Sequence, residues 1–372
     1  MAKNILLLAG GDGSEHDISL ISSQYVEQQL KLNPEFNVIS AVLHDDVMHF
    51  APSAKPSASP SADTATANAA TADAAATVSA TADSERVGYF TKLNELTIKN
   101  PDGTTAKYKI DCAVPCLHGV PGETGDIQSF FELQRIPYIG CGAEASINCF
   151  NKVTTKFYLD ALKIENTPSM FLSSNDSASL QQAHEAFARF GGDVYVKAAN
   201  QGSSIGCYHV QKESELDEAI AQALGFSHLV LLEKTIVHRE LEVAAYEYEG
   251  KLHITNPGEI IIPQDHFYDF SEKYSKTSGS TTTLEVAGLT ELQKAMIKNM
   301  AERAFKGLNL RHLSRIDFFL SNDGTIYINE INTFPGMTPI SMFPKLVEHQ
   351  GLSMKDFLTY CIHDAMAHPS GR

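Results

Sequence analysis

The chain has 372 residues and a formal net charge of −16, from 45 acidic and 29 basic side chains. At ~150 residues per domain, that length predicts two or three domains, each with room for a sizeable core. The acidic balance excludes the basic footprint of a nucleic-acid binder, though not an anionic small ligand in a locally positive pocket. The N-terminal apolar run Ile5–Ala9 has five residues and meets Gly10-Gly11-Asp12-Gly13, so it reads as a buried strand entering a turn, not as a signal peptide. No stretch reaches the ~18–20 apolar residues of a membrane span. The six cysteines show no CxxC spacing. They read as reduced thiols of a cytoplasmic protein, with no zinc site.

Asn4–Ala9, a helix over residues 17–32 and a strand at Phe36–Leu43 form a β-α-β unit, with Ser14 and Asp17 placed for a capping box. Residues 51–84 hold 14 Ala and one larger aliphatic side chain, Val78. Side chains this small bury little apolar area and cannot offset the entropy of ordering, so the segment is predicted to be a disordered insert, with marginal helix propensity over Ala65–Ala76. Ordered sequence resumes near Gly88. A strand at Cys112–Leu117 leads into His118-Gly119, followed by helices at Asp126–Gln134 and Ala143–Leu162. Strands at Ser169–Leu172, Val194–Ala198, Ile205–Val210 and His228–Lys234 alternate with helices at Ser177–Phe190 and Glu213–Leu224. Residues 240–262 read as antiparallel strands, 264–282 as a long polar and aromatic loop, and Thr290–Leu308 as a helix. A hairpin at 313–331 and two helices close the chain. The class is therefore α/β with α+β portions.

The hairpin carries the strongest chemical signal. Asp323-Gly324 between alternating strands predicts a two-residue type I′ turn. That register sets Asp317 opposite Glu330 and Arg315 opposite Asn332, all on one face. Two opposed carboxylates repel unless a cation lies between them. Asp317, Glu330 and Asn332 are three oxygen donors of the kind Mg²⁺ takes. Ile316, Phe318, Ile328 and Ile331 supply the buried opposite face. Lys197, at a strand end, precedes Gly202, Ser203 and Ser204, and Lys152 follows Asn151. This pattern can clamp phosphate, although an ordinary strand–loop–strand hairpin accounts for it equally well. There is no G-x-x-x-x-G-K-[ST] motif, and His16 stands where a dinucleotide fingerprint needs its third Gly. A nucleotide would therefore bind by another scheme.

The ordered set of motifs closely resembles the D-alanine–D-alanine ligases of the ATP-grasp superfamily. It comprises Gly10-Gly11-x-x-Ser14-Glu15-His16-Asp17, His118-Gly119-x-x-Gly122-Glu123-x-Gly125, Lys197-x-x-Asn200-Gln201-Gly202-Ser203-Ser204, Arg239-Glu240-Leu241-Glu242-Val243, Phe267-Tyr268-Asp269-x-x-x-Lys273-Tyr274, Arg315-x-Asp317 and Asn329-Glu330-Ile331-Asn332-Thr333-x-Pro335-Gly336. The resemblance runs from residue 4 to about 365 and leaves out 51–84. It implies an ATP-grasp fold of three domains: an N-terminal open α/β substrate domain over 1–150, a central subdomain over 151–235, and a C-terminal subdomain over 236–372 with the metal site and the long loop. It implies a two-step reaction in the synthesis of peptidoglycan precursors. ATP phosphorylates one D-alanine carboxylate, and the amine of a second D-alanine attacks the acyl phosphate.

Carried over by motif, Glu15 holds the first D-alanine ammonium and His118 assists there. Ser203 and Tyr274 link to Glu15 and close the loop. Lys152, Lys197 and Lys273 bind phosphates, with Ser203 and Ser204 beside them. Glu233, Lys234 and Ile236 meet adenine, and Glu240 meets ribose. Arg315 and the Gly336 N–H stabilise the oxyanion, and Ser341 takes the second D-alanine carboxylate. Two Mg²⁺ (or Mn²⁺) ions on Asp317, Glu330 and Asn332 accompany ATP, and the family implies a homodimer. Tyr274 favours an amine over D-lactate as the nucleophile.

Overall fold

The structure, a computed structural model, describes residues 2–50, 86–261 and 281–369. The expected insert, together with Lys273 and Tyr274, lies outside them. In the first part, strands β1 (Lys3–Gly10), β2 (Phe36–His44), β3 (Val47–Phe50), β4 (Arg86–Lys92), β5 (Glu95–Lys99), β6 (Thr105–Lys109) and β7 (Cys112–Pro115) form one sheet of order β6-β5-β4-β3-β2-β1-β7. β1 pairs in parallel with β2 and β7, joined to β2 through helix α1 (His16–Lys31). Ile5 to Leu8 are all at most 1% exposed. A strand covered on both faces accounts for that unbroken apolar run. β3 to β6 add an antiparallel meander that the sequence reading did not place. Their short, half-polar runs lack the continuous apolar signature of β1.

Helices α2 (Asp126–Gln134), α3 (Ala143–Phe150) and α4 (Lys152–Ala161) follow. The single helix expected over Ala143–Leu162 is interrupted at Asn151. Its backbone is extended (φ −81°, ψ 105°), and its Oδ1 accepts the Val153 and Thr154 N–H groups. An Asn at this position caps a new helix in preference to continuing the old one.

A second sheet contains β8 (Ser169–Leu172), β9 (Val194–Ala198), β10 (Cys207–Val210) and β11 (Val230–Lys234) in the order β10-β9-β11-β8. Val194, Val196, Val230 and Leu232 pack with residues of α5 (Ser177–Arg189) and α6 (Leu216–Leu224). The strand period of 2 then turns Tyr195 and Lys197 to the other face. β10 starts two residues later than expected, because Ser203, Ser204 and Gly206 all adopt positive φ.

The third sheet holds β12 (His238–Tyr248), β13 (Lys251–Ile254), β14 (Gly258–Ile261), β15 (Thr281–Thr283), β16 (Leu313–Ser321) and β17 (Ile326–Asn332). The order is β15-β14-β12-β16-β17, with β13 on β12. Helix α7 (Glu291–Gly307) begins with a Thr290/Gln293 capping box and covers one face. α8 (Met342–His349) and α9 (Met354–Ala367) share a core with β1, β7 and α1, through Ile5, Val26, Val114, Leu346, Phe357 and Leu358.

Two local expectations need correction. The capping box of α1 does not form: Glu15 is its N-cap and no side chain caps the helix. The β16–β17 turn is not type I′. Ser321 N–H donates to the Thr325 carbonyl across three loop residues, and Gly324 takes φ 88° while Asp323 is not left-handed. That loop would shift the pairing sum by one. A register shift between Asp317 and Phe318 restores it, so Asp317 still faces Glu330 and Arg315 still faces Asn332. The inward Ile328 and Ile331 stand three apart, which a regular strand cannot bury on one face. The spacing therefore already encoded the bulge.

Candidate active site

The polar face of β16–β17 is a compact charge cluster. Asp317 is 3% exposed. Arg315 forks onto it, with Nε to Oδ1 and Nη2 to Oδ2 both at 2.7 Å. Asn332 Nδ2 donates to Asp317 Oδ2 at 3.1 Å. Glu242, opposite Asp317 on β12, brings Oε1 to 3.3 Å from Arg315 Nε. Lys152 Nζ lies 3.3 Å from Glu330 Oε1. Three carboxylates thus gather around two cations on one sheet face, and the oxygen donors Asp317, Glu330 and Asn332 match the hard-ligand set of Mg²⁺ or Mn²⁺.

A cavity opens between this face and the second sheet. Lys152, Lys197, Ser203, Ser204, Glu233, Lys234, Ile236, Glu240 and Glu330 all line it. Lys152 spans it, donating to the Gln201 carbonyl at 2.6 Å on one wall and facing Glu330 on the other. Glu233 is held by Lys197 and, at 2.7 Å, by Lys156. Burial alone would push the Glu233 carboxyl up, but the two ammonium groups outweigh it and bring its pKa to about 2. Burial likewise pulls the Lys197 ammonium down, and the Glu233 charge overrides it, so its pKa is raised. The pair is therefore ionised throughout the physiological range. His238 lies against Phe319, with ring centroids 3.6 Å apart, and both line the same cavity.

The first and second sheets meet at Glu15. Ser203 Oγ donates to Glu15 Oε1 at 2.7 Å across 188 residues of sequence. Ser203 and Ser204 adopt successive left-handed conformations (φ 50° and 61°), a strained arrangement that clusters at functional sites. Gly119 takes φ +65°, which strains any side chain, and a Cβ there would fall 2.6 Å from Glu15 Oε2, so glycine suits the close approach of this loop to the carboxylate. Glu123 accepts the Gly119 N–H at 2.9 Å, and burial with the nearby Glu15 charge raises its pKa to about 8.

His118 is 5% exposed and pairs through Nε2 with Ser22 Oγ at 2.9 Å. Gly336 lies in the turn that follows β17, and a Cβ there would come 3.0 Å from Ser341 Oγ. Thr338 holds that hydroxyl from its N–H at 3.2 Å and from its Oγ1 at 2.7 Å.

The expected site residues within the described chain thus fall in two connected groups, one around the cavity and one around Glu15, His118 and the 334–341 turn. Sequence reasoning passed over Lys156, Glu242 and Ser22. Lys156 stood one helical turn from Lys152, on the same face, and was legible. Glu242 needed the β12–β16 register, and Ser22 carried no signal of its own.

Known proteins match nearly the full length of the chain. The family model described as D-ala D-ala ligase N-terminus covers residues 4–141, and that described as D-ala D-ala ligase C-terminus covers 159–363. The D-alanine–D-alanine ligase of Vibrio cholerae serotype O1 is 48% identical over 367 residues, 97% of each chain. The crystal structure of D-alanyl-alanine synthetase A from Vibrio cholerae superposes with a TM-score of 0.83 at 46% identity, covering 99% of both chains. That of the Aeromonas hydrophila ligase gives 0.74 at 41%, covering 96% of this chain and 99% of that one. With both halves matched and the charge cluster in place, the chain belongs to the D-alanine–D-alanine ligase family of ATP-grasp enzymes.

Proposed function

We propose that the chain joins two D-alanines into D-alanyl-D-alanine at the expense of ATP, through D-alanyl phosphate, to supply peptidoglycan precursors. The observation that carries this reading is the Arg315–Asp317–Asn332 cluster and Glu330 facing a lysine-lined cavity, with Glu15 held at its edge. Adenine occupies the end lined by Glu233, Lys234, Ile236 and Phe319, and Glu240 takes the ribose hydroxyls. Lys152 and Lys197 face the phosphates, and the Ser203–Ser204 turn offers backbone N–H groups to them. Lys273, outside the described residues, is assigned by resemblance to the γ-phosphate, and Tyr274 to the link with Glu15 and Ser203.

Asp317, Glu330 and Asn332 would hold two Mg²⁺ or Mn²⁺ ions, which supply charge neutralisation at the transferring phosphoryl group when bound. Glu15 anchors the first D-alanine by its ammonium group, so that its carboxylate points toward the γ-phosphate. The amine of the second D-alanine, held through its carboxylate at Ser341, then attacks the acyl carbon. The carbonyl oxygen gathers charge, stabilised by the Arg315 guanidinium and the Gly336 N–H, and phosphate leaves as the tetrahedral intermediate collapses.

Among the described residues no helix is long and apolar enough to cross a membrane. The reading includes a cytoplasmic homodimer. The test is phosphate release from ATP as a function of D-alanine. Release should saturate with D-alanine, and Arg315→Ala or Glu330→Gln should lower it by on the order of 10²–10³-fold. Release that ignores D-alanine and follows another amino acid would remove the substrate assignment.

A further inference from the structure

Ser22 is fully buried in the middle of α1 and takes no part in the reaction described above, yet its hydroxyl joins three segments. The Met337 N–H donates to Ser22 Oγ at 3.2 Å, across 315 residues of sequence. His118 Nε2 stands 2.9 Å from the same oxygen. The His118 ring lies beside the same turn, its centroid 6.4 Å from that of Phe334. The Met337 N–H occupies one lone pair of Ser22 Oγ and leaves the hydroxyl hydrogen available to Nε2 of the Nδ1–H tautomer of His118. The Nε2 of His118 is then committed within the protein. Phe334 and Met337 flank Gly336, whose N–H is the oxyanion donor of the proposed reaction. The far side of the same turn is pinned by Thr338 on Ser341.

From this geometry we propose that Ser22, acting through His118, is a positioning residue that fixes the Gly336 turn relative to Glu15, and that His118 serves this clamp rather than donating a proton to substrate. The inference rests on the function proposed above. Glu15, the N-cap of α1, and Ser22 sit two turns apart along one helix. A single element therefore sets the distance between the ammonium anchor of the first amino acid and the donor that meets the oxyanion. Neither Ser22 nor His118, Gly336 or Met337 lines the cavity assigned to ATP, so nucleotide binding does not depend on that distance. An error of ~1 Å between reacting groups can cost on the order of 100-fold in rate.

The experiment is steady-state kinetics of the full chain and its Ser22→Ala, His118→Leu and doubly substituted forms. Ser22→Ala should lower kcat by on the order of 10- to 100-fold with KM for ATP within about twofold of wild type. The double variant should lose no more than the worse single one, because the two side chains act as one unit. A kcat within twofold of wild type, or losses that multiply in the double variant, would overturn the proposal. Should Ser22→Ala fail to fold, ¹⁵N-histidine NMR of the wild-type chain decides instead. The Nδ1–H tautomer of His118 is expected, and the Nε2–H tautomer overturns the clamp. Wild-type formation of D-alanyl-D-alanine is measured alongside. Its absence would sink the functional reading, whereas an active wild type with an unaffected Ser22→Ala sinks only the clamp.

Discussion

Arg315 answers two carboxylates at once, Asp317 by a bidentate fork and Glu242 at 3.3 Å. Its planar guanidinium can meet both because its donors point in fixed directions, which an ammonium cannot reproduce. Arg315→Lys should therefore lose most of the D-alanine-dependent phosphate release despite keeping the charge, and an activity within threefold of wild type would show that charge alone suffices. Lys156 poses a different question. It is 7% exposed and bonds Glu233, Asn166 and the Thr167 carbonyl. Lys156→Met leaves Glu233 buried with one cation in place of two, and removing one partner of a buried pair costs about 3–5 kcal/mol. Urea denaturation should show a loss near the lower end, since Lys197 remains. Asp317, Glu330, Asn332 and Arg315 were legible because a period of 2 converts sequence spacing into a shared face. Glu242 was not, because it reaches the cluster only through long-range pairing of β12 with β16, and no local pattern specifies such a register.

At the scale of elements, the break between α3 and α4 places Lys152 at the first position of a new helix. Asn151 makes that break by accepting two backbone N–H groups. Asn151→Ala should cost ~1 kcal/mol of stability, the usual worth of an N-cap, and raise KM for ATP as Lys152 loses its fixed origin. Thermal unfolding and ATP titration check the two halves separately. The residue pattern over 143–162 is apolar at helical spacing on both sides of Asn151, so periodicity alone read through the cap. The β16–β17 hairpin is the converse case. The expected turn was wrong by one residue and the expected regular strand was wrong by one bulge, and the two cancel at the site. Deleting one loop residue from Asn322-Asp323-Gly324 would force the two-residue turn and unbalance that compensation. Activity should fall far more than stability.

For the whole molecule, His312 ties the loop that precedes α3 to the last helix. Gly140 N–H donates to its Nδ1 at 3.0 Å, and its Nε2 meets Asp364 at 3.1 Å. Burial, reinforced by the Arg311 charge and opposed by Asp364, lowers its pKa from 6.5 to about 4. A histidine kept neutral by folding binds a proton in the unfolded chain first. Its contribution is therefore complete above pH 6.5 and is lost as pH falls toward 4, on the order of 3 kcal/mol at 1.4 kcal/mol per unit. Glu123, with its pKa raised to about 8, works in the opposite direction as pH rises from 4.5 to 8. His312→Gln keeps an acceptor and a donor without titrating, so its stability should fall less steeply than wild type between pH 6.5 and 4. Parallel pH profiles of unfolding free energy would contradict this.

The long connection after β3 offers a second test. Phe50 and Arg86 are paired neighbours in adjacent antiparallel strands, so residues 51–85 join two ends already side by side. Replacing these 35 residues with a four-residue hairpin loop shortens the closed loop by about three doublings, a gain of about 2 kcal/mol by chain entropy. The thermal midpoint should rise, and kcat should be unchanged. Composition made this segment conspicuous in the sequence, whereas the β3–β6 meander around it was silent, because its strands are short and alternate weakly.

The central claim is the identity of the product. Full-length enzyme given ATP, Mg²⁺, D-alanine and an equal concentration of D-lactate should yield D-alanyl-D-alanine as the dominant product by mass spectrometry, with ADP and phosphate in equal amounts. ADP without dipeptide, or D-alanyl-D-lactate as the main product at neutral pH, would contradict it.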